Sequence, residues 1–386
     1  MKNIVLFDPV GARAELLPLT YTRPVALLRH GITTFAEKWQ SALPGNYSFE
    51  TQDYLAEKYP AVVAEDGDNL FVAGNVHPDA ALVEAICALA PGESLALASG
   101  EVVARRGDGE KGTATYPGEV LKVDHLWDLF MLNDEAVRRD FARLTAGRVS
   151  RPLSDTCRLI GDPSQLFIEE GAVVEGAIIN VSKGPVYIGR DAEVMEGACL
   201  RGPIAMCEHS VVNMGGKIYG ATTLGPYCKV GGELNNVVMT GYSNKAHDGF
   251  LGNAVIGEWC NLGAGCTASN LKNTYGPVRV WSIAQSRFVK TGLQFCGLIM
   301  GDHSKAGINT MFNTATVVGV GVNFYGSGFP RTFIPSFNEG TTHGMAEADM
   351  DRFFDTATRM MARRHVELTP ADKEILMSIR DSRDGN

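Results

Sequence analysis

Beyond about residue 160, aliphatic residues recur every six positions and are often followed by glycine or another small residue. One such run contains Ile188 and Val194, and another contains Ile256 and Leu262. A short fixed period is typical of a coil in which each repeat adds one strand and one corner, so that inward side chains stack on the coils above and below. The repeat predicts a parallel β-helix over residues 155–340. An all-β sandwich with chance spacing is the alternative, and the phased runs favour the β-helix.

A small residue stands four positions after several of these aliphatic residues, and at Cys228, Cys260 and Cys266 it is a cysteine. Free cysteine packs as a small hydrophobe, so we expect these thiols inside the coil rather than in a catalytic site. The period weakens at residues 201–223 and 264–295. We therefore expect loops to leave the coil in both segments.

The segments on either side of the repeat have a different pattern of apolar residues. Residues 1–150 contain two short apolar runs, and the second, at 69–76, precedes a helical stretch at 79–90. This order predicts a mixed α/β domain. Residues 345–386 have helical spacing, and a proline follows Thr369 at the first position of a final helix. We expect an α/β domain, a β-helix and a C-terminal helical segment.

Composition narrows the class of function. The 386 residues include 35 Lys and Arg against 44 Asp and Glu, a net charge of −9, whereas nucleic-acid binding requires a positive surface. No run of about 18 apolar residues marks a membrane span, and the N-terminus lacks the apolar core of a signal peptide. None of the eight cysteines forms a C-x-x-C pair, so no zinc site is expected. These features favour a cytoplasmic protein that binds small molecules, with no nucleic-acid or membrane partner.

The most specific segment is residues 243–273, SNKAHDGFLGNAVIGEWCNLGAGCTASNLKN. It contains H-x-x-[YF]-L-G, then I-G, then N-x-G-A-G, then an asparagine, which places His247, Phe250, Asn261 and Asn270 at the key positions. The segment resembles the acetyltransferase half of the bifunctional N-acetylglucosamine-1-phosphate uridyltransferase/glucosamine-1-phosphate N-acetyltransferase family. The resemblance implies a left-handed β-helix, acetyl-CoA as co-substrate, and a homotrimer with acyl-transfer sites between neighbouring coils.

The residue types of this motif suit acyl transfer to an amine. An amino sugar must lose a proton before it attacks a thioester, and a histidine, with a reference pKa of about 6.5, is a suitable general base. We therefore expect His247 to be the catalytic base and Asn261 and Asn270 to orient sugar hydroxyls or the phosphate. Outside such a motif, a single histidine is more often a structural residue bonded to the backbone.

Contacts to the sugar substrate are expected from the same segment and its surroundings. Phe250 stands where the family commonly has tyrosine, so it keeps the ring and lacks the hydroxyl. Lys245, Lys272 and Arg279 are the nearby cations. We expect these three side chains to contact a sugar phosphate.

Residues 289–314 resemble the acyl-CoA-binding coils of the same family. The resemblance implies that Thr291, Gly307 and Asn309 contact coenzyme A. It also implies that Lys305, or Arg331, meets the phosphates of the ligand. The alternative for such a lysine is a solvated surface position.

The N-terminal segment LFDPVGARAELLPLTYTRPVALL (6–28) resembles the opening of sugar-phosphate nucleotidyltransferases, with Gly11 and Arg13 in the Gly-x-Arg of the phosphate-binding loop. Backbone N–H groups of such a loop bind a triphosphate, and the resemblance implies that Arg13 contacts the transferred phosphoryl group. The chain departs from the pattern at Pro9, which removes one donor. It departs again at Asn75, which stands where the family has the aspartate that holds the metal. Mg²⁺ is implied if this domain is active.

These observations favour an acyl-CoA-dependent N-acetyltransferase that acts on an amino-sugar phosphate in nucleotide-sugar synthesis, with nucleotidyl transfer left open as a second activity. Two alternatives remain. In one, the chain is a sugar-1-phosphate nucleotidyltransferase (uridylyl or thymidylyl) whose β-helix serves oligomerisation. In the other, it is a non-catalytic regulator that binds sugar nucleotides.

Overall fold

A computed structural model describes residues 2–64 and 68–382. Contacts within the chain divide these residues into two compact units. Unit 1 comprises residues 2–28, 33–125 and 370–378. Unit 2 comprises residues 29–32, 126–369 and 379–382. Residues 383–386 of the expected C-terminal segment lie outside the described residues.

Unit 1 is a mixed α/β unit, as the order of apolar runs predicts. Its strands are β1 (Lys2–Phe7), β2 (Gly45–Glu50), β3 (Asn69–Ala73), β4 (Glu93–Ala96), β5 (Val102–Arg106) and β6 (Gly112–Thr115). Its helices are α1 (Val10–Glu15), α2 (Phe35–Ala42) and α3 (Ala80–Cys87), with 3₁₀ turns at Val25–Leu27 and Asp53–Leu55. The strands form one sheet in the order β2-β1-β3-β5-β4-β6. Because β1 lies between two parallel partners, its apolar side chains are buried and the loop that follows it starts at the edge formed by the strand ends.

Unit 2 is a left-handed parallel β-helix with three faces. Face A contains β7 (Arg158–Ile160), β10 (Ile178–Asn180), β13 (Cys199–Arg201), β16 (Lys217–Tyr219), β23 (Thr267–Ala268) and β28 (Met311–Phe312). Face B contains β8 (Leu166–Ile168), β11 (Val186–Ile188), β14 (Ile204–Met206), β17 (Thr222–Leu224), β26 (Ile299–Met300), β29 (Val317–Val318) and β31 (Phe333–Ile334). The longer strands β19 (Glu233–Gly241) and β21 (Phe250–Glu258) each pass round a corner from face A to face B.

Face C completes each coil. It contains β9 (Val173–Val174), β12 (Glu193–Val194), β15 (Val211–Val212), β18 (Lys229–Val230), β20 (Asn244–Lys245), β22 (Asn261–Leu262), β27 (Lys305–Ala306), β30 (Asn323–Phe324) and β32 (Asn338–Thr341). The last of these pairs in an antiparallel hairpin with β33 (Gly344–Glu347). The remaining elements are α4 (Asp128–Met131), α5 (Asn133–Thr145), a 3₁₀ turn at Pro163–Gln165, a hairpin of β24 (Arg279–Ser282) and β25 (Arg287–Lys290), α6 (Met350–Ala362) and α7 (Pro370–Ser382).

The residues that recur every six positions form rows of side chains that point into the coil. Val194, Val212 and Val230 lie in register on face C and are buried in the core of the coil. The cysteines of the small-residue positions, among them Cys228 and Cys260, belong to the same core, and burial raises the pKa of both thiols to about 12. These thiols are therefore structural, as their position in the repeat predicts.

The first expected excursion is wrong. Residues 201–223 continue the coil through β13–β17, with Met206 and Ile218 at inward positions. The repeat is hard to recognise there because no glycine follows these two residues.

The second excursion, expected at residues 264–295, is present but begins only after Asn270, because residues 264–270 continue the coil through β23. The chain leaves the corner between faces A and B after Asn270 and rejoins the core of the coil at Leu298, and the Cys296 N–H donates to the Asn270 carbonyl oxygen (2.9 Å) at the base of this segment. Residues 271–297 are called the excursion below.

The corner between faces B and C carries a row of aromatic side chains. Tyr227, Tyr242 and Trp259 each have a positive φ, a conformation that costs an L-residue roughly 1–2 kcal/mol. Their rings stack on one another, with centroids 5.4 Å and 4.2 Å apart, and His209 extends the row at 4.6 Å from Tyr227. Ring stacking at the coil spacing offsets the backbone cost and binds successive coils together.

Helices α4 and α5 pack against face B through polar as well as apolar contacts. The Nδ2 atom of Asn133 donates to the Ala221 carbonyl oxygen (2.8 Å) and to Thr223 Oγ1 (3.1 Å). Within the described ranges, no helix is long and apolar enough to span a membrane, and no group of His, Cys, Asp and Glu side chains is arranged to hold a metal ion.

Candidate acyl-transfer site on the β-helix

His247 lies on the corner between faces C and A, directly after β20, and its side chain is exposed. Two residues later, Gly249 has a φ of +121°, and a Cβ atom there would overlap the Cys266 carbonyl oxygen of the next coil. Only glycine fits such a close approach. The corner that presents His247 is therefore tightly packed on its coil neighbour.

Lys245 supports this corner from the inside of the coil. It is in register with Val230, so its side chain takes an inward position that is aliphatic on the preceding coil, and only 1% of it is exposed. Its ammonium donates to the carbonyl oxygens of His247 and Asp248, the latter at 3.1 Å. Burial lowers its pKa. The side chain is thus enclosed and binds the carbonyl groups of the His247 corner, and its contact with a sugar phosphate stays a prediction.

Asn261 lies on the outer side of face C, one coil beyond His247. It is in register with Asn244 and Lys305, and Asn244 Nδ2 donates to its Oδ1 atom at 3.5 Å. Lys305 donates to the His303 carbonyl oxygen (2.9 Å), and burial lowers its pKa. Face C thus presents a short row of amide and ammonium groups next to the His247 corner.

Phe250 and Asn270 come together over face A. A Cβ atom on Gly252 would lie 2.6 Å from the Phe250 ring and 2.7 Å from Asn270 Nδ2, so both side chains crowd the same glycine. The Asn270 amide also donates to Asn253 Oδ1 of the preceding coil (2.8 Å). His247 lies shortly before β21 in the chain, and Asn270 lies beside β21 on the next coil. The motif residues therefore lie around this one strand.

The residues expected to contact coenzyme A are spread over three places. Asn309 is exposed on the same corner as His247, and its N–H donates to the Ala264 carbonyl oxygen (2.7 Å). Gly307 directly follows β27, whose Lys305 lies on face C. Thr291 lies at the base of the excursion, where its hydroxyl donates to the Val278 carbonyl oxygen (2.9 Å). Lys305, Gly307 and Asn309 follow one another along one coil, whereas Thr291 lies in the excursion.

The two remaining cations, Lys272 and Arg279, line one cavity of about 600 Å³. The excursion forms one wall, and the other wall comes from later coils. Phe288 and Phe329 also line it, and neither is apparent in the motif because both lie far along the chain from His247. The sequence does carry a signal for a cationic site here, since no Asp or Glu occurs between residues 259 and 301.

Arg13, which is expected to bind nucleotide, bonds to other residues of unit 1. Arg13 is 9% exposed; it forms an ion pair with Asp8 (3.4 Å) and donates to Tyr54 Oη (2.8 Å) and the Thr20 carbonyl oxygen (3.1 Å). Burial raises the pKa of Asp8, while hydrogen bonds from Thr51 and Val25 and the Arg13 charge act against that rise. Arg13 is thus paired within unit 1, and its contact with a transferred phosphoryl group stays a prediction.

The other two nucleotide-binding positions also differ from a phosphate-binding loop. Gly11 lies inside helix α1, with open space around its Cα atom, so the segment is helical rather than a glycine-rich loop. Asn75 is fully buried, and its amide donates to the Val123 carbonyl oxygen (3.1 Å) and to Asp124 Oδ1 (3.0 Å). An amide in that position has no charge to offer a divalent cation.

Comparison with known proteins gives a family-model match for the N-terminal part of the chain. Residues 4–149 match a family model described as sugar nucleotidyl transferase. Among solved structures, the chain is similar to a UDP-N-acetylglucosamine acyltransferase from Arabidopsis, at 14% identity over 60% of this chain and 96% of that one, with a TM-score of 0.26. It is also similar to the polysialic acid O-acetyltransferase OatWY, at 10% identity over 50% and 85%, with a TM-score of 0.18. No curated protein matches the chain.

The chain thus joins two parts of different character. Its first 149 residues include a domain that matches the sugar nucleotidyl transferase model. The rest is dominated by a left-handed β-helix that carries the His247 motif.

Proposed function

We propose that the chain is an acyl-CoA-dependent N-acetyltransferase acting on an amino-sugar phosphate. One observation carries the proposal: the exposed imidazole of His247 stands on a corner whose carbonyl groups are held from inside the coil by Lys245. A buried lysine is costly, and its ammonium is directed at the two residues of that corner. Phe250 and Asn270, which meet over the adjoining strand, supply a ring and an amide for a sugar.

The chemistry needs one base and one leaving group. His247 takes a proton from the substrate ammonium, and the freed amine attacks the thioester carbonyl of acetyl-CoA. A C–N bond forms and the C–S bond breaks, so that the thiolate of coenzyme A leaves and takes up the second proton that the nitrogen loses. Amide donors such as Asn261 orient the acceptor, since acyl transfer is accelerated when the reacting atoms are held in line.

We further propose that the active form is a homotrimer in the cytoplasm, with each site completed by a neighbouring subunit. The exposure of His247 and Asn309 on one corner supports this, because a second subunit packed there would enclose a pantetheine arm. Closed cyclic symmetry repeats one shared site at each interface. Light scattering is expected to give about three times 41.6 kDa; a mass near that of one chain with full activity would contradict the shared site.

The test of the proposed reaction is release of the coenzyme A thiol from acetyl-CoA in the presence of glucosamine-1-phosphate. Glucose-1-phosphate, which has a hydroxyl in place of the amine, is the control acceptor. We expect thiol release only with the amine, together with an N-acetylated product by mass spectrometry. Equal release with both acceptors, or with none, contradicts amine acetylation.

A second candidate activity is sugar-1-phosphate nucleotidyl transfer by the N-terminal domain, which its match to the nucleotidyl transferase family favours. The donors that such a site needs are otherwise occupied here, since Arg13 is paired with Asp8. Any such activity also requires Mg²⁺ held by other groups, because Asn75 stands where the family has the metal-binding aspartate and its amide donates to Asp124. Pyrophosphate release from each nucleoside triphosphate, with and without Mg²⁺, tests it independently of acetyl-CoA.

A further inference from the structure

The excursion has an unusual charge. Its 27 positions, 271–297, hold four cationic residues and no aspartate or glutamate, in a chain whose net charge is −9. The four are Lys272, Arg279, Arg287 and Lys290. A segment of one sign on an otherwise acidic protein attracts anions to that place.

The hairpin of the excursion brings two of these charges together. Arg279 and Lys290 are directly opposite each other on β24 and β25, an arrangement that is unfavourable for like charges. Throughout the described ranges, no carboxylate pairs with any of the four: Lys272 donates to the Pro277 carbonyl oxygen (2.6 Å) and Arg287 to Gln285 Oε1 (2.9 Å). The repulsion is relieved when an anion binds.

The cavity of about 600 Å³ lies where this charge is concentrated. Lys272 and Arg279 line it, and no carboxylate does. Hydroxyl and amide groups add uncharged donors, from Ser269, Asn273, Thr274, Asn313, Thr314 and Thr332. These are the groups that bind phosphate oxygens at more than one position.

The same cavity also offers aromatic surface. Phe288 and Phe329, which are 40% and 55% exposed, line it from the excursion and from a later loop. The Arg279 guanidinium lies 5.7 Å from the centre of the Phe288 ring. Exposed rings beside cations provide the stacking surface that nucleic-acid bases use.

The excursion is fixed to the coil by a ring pair outside the cavity. Trp281 stacks on Phe333 of strand β31 at 5.2 Å and contacts Phe288 edge-on at 5.1 Å. This anchoring sets the position of the Phe288 ring before any ligand arrives. Preorganisation of this kind lowers the entropic cost of binding.

We propose that this cavity binds the nucleoside diphosphate part of a substrate. Two cations with several neutral donors match two phosphates, and the exposed rings match a base, which a sugar monophosphate lacks. The volume falls within the roughly 300–1,000 Å³ of sites that hold ligands of such a size. This site extends the proposed function. Only the statement that its ligand is a substrate depends on that function. The nucleotide belongs either to coenzyme A or to a nucleotide-linked amino sugar, and in the second case the acceptor is that nucleotide sugar rather than a sugar monophosphate.

Isothermal titration of the wild-type chain with UDP, coenzyme A, inorganic pyrophosphate and glucosamine-1-phosphate tests the proposal. We expect UDP or coenzyme A to bind at least about 10-fold more tightly than pyrophosphate, because base stacking is added. Tight binding of UDP assigns the cavity to the acceptor, and tight binding of coenzyme A alone assigns it to the acyl donor. Failure of both to exceed pyrophosphate overturns the proposal.

Two arginines of the same hairpin provide a matched pair of variants. Arg279→Ala should weaken the binding of the preferred ligand about 10- to 100-fold, because a charge-assisted bond is lost. Arg287→Ala removes the same charge from the same hairpin outside the cavity lining, and should change binding less than about 2-fold, as for a screened distant charge. Equal weakening by both variants would mean general attraction of anions and would overturn the site.

The two proposals fail in different ways. His247→Ala should retain the wild-type affinity for the nucleotide, since its corner does not line this cavity. If the wild type binds nucleotide but transfers no acyl group to any acceptor, the acyltransferase is wrong and the nucleotide site stands. If acyl transfer proceeds and Arg279→Ala changes neither nucleotide affinity nor the KM of either substrate, the nucleotide site is wrong.

Discussion

The side-chain ammonium of Lys245 lies inside the β-helix and donates to the backbone carbonyl oxygen of His247, two residues along the chain. It takes the inward position that Val230 has on the preceding coil. An ammonium in an apolar core is costly unless its hydrogen bonds are satisfied, and here the carbonyl groups of the corner satisfy them. The corner that presents His247 is thereby fixed in place by a side chain that no substrate can reach.

Lys245→Met keeps the length of the side chain and removes the hydrogen bonds. We expect kcat for acyl transfer to fall about 10-fold or more while the KM for acetyl-CoA stays near that of the wild type, because the imidazole loses its position and the binding surfaces remain. Steady-state kinetics measures the split. Val230→Ala, an apolar truncation at the in-register position of the neighbouring coil, is the control for lost packing and should alter kcat less than about 2-fold, since it removes no hydrogen bond from the corner. Parallel loss in both variants would mean a general packing effect.

Alkaline stability should also report on Lys245. Burial lowers its folded-state pKa below the ordinary value of 10.5, so the folded chain binds this proton more weakly than the unfolded chain does. Its contribution to stability is therefore lost as pH falls through the lowered pKa and is recovered as pH rises towards 10.5. The difference in unfolding midpoint between Lys245→Met and the wild type should widen in favour of the wild type over that window. A difference that does not vary with pH would contradict the shift.

The aromatic corner predicts a large packing loss at Trp259, which is 6% exposed and stacks on Tyr242. Trp259→Ala should lower the free energy of unfolding by about 3–5 kcal/mol. Tyr275 is the control, since it also has a positive φ but is 67% exposed; Tyr275→Ala should cost less than about 0.5 kcal/mol. Denaturant titration compares them, and similar losses in the two variants would mean that stacking contributes little.

Sequence alone predicts the period of the coil and the segment that presents His247, because both depend on local spacing. It misplaces residues 201–223, since the inward positions of Met206 and Ile218 lack the following glycine. The inward lysine is missed for a different reason. A lysine in the repeat is expected to face solvent, and the carbonyl groups that keep Lys245 inside become visible only when the corner is built.

Long-range packing is the other part that local spacing does not reveal. Phe288 and Phe329 meet at one cavity from segments 41 residues apart, so no short motif joins them. In unit 1, the phosphate-loop pattern predicts a substrate contact for Arg13. Asp8, which immediately precedes Pro9, lies beside Arg13 and forms an ion pair with it.

The Asp8–Arg13 pair predicts a stability effect in place of a catalytic one. Arg13→Met leaves the enclosed Asp8 carboxylate without a cation, and should lower the free energy of unfolding by about 3–5 kcal/mol. The double variant Asp8→Asn with Arg13→Met removes the stranded charge and should recover part of that loss. Denaturant titration measures both. A different outcome would make Arg13 catalytic. In that outcome, the wild type transfers nucleotidyl groups as fast as acyl groups, and Arg13→Met loses this activity with unchanged stability.

The most direct test of the acyltransferase is the rate of acetyl transfer to glucosamine-1-phosphate by His247→Ala. We expect a fall of about 10²–10⁴ in kcat relative to the wild type, with an unchanged far-ultraviolet circular dichroism spectrum, because a general base contributes on that scale. His365→Ala, which removes another exposed histidine, should keep the wild-type rate. A folded His247→Ala chain that turns over at nearly the wild-type rate would contradict the account.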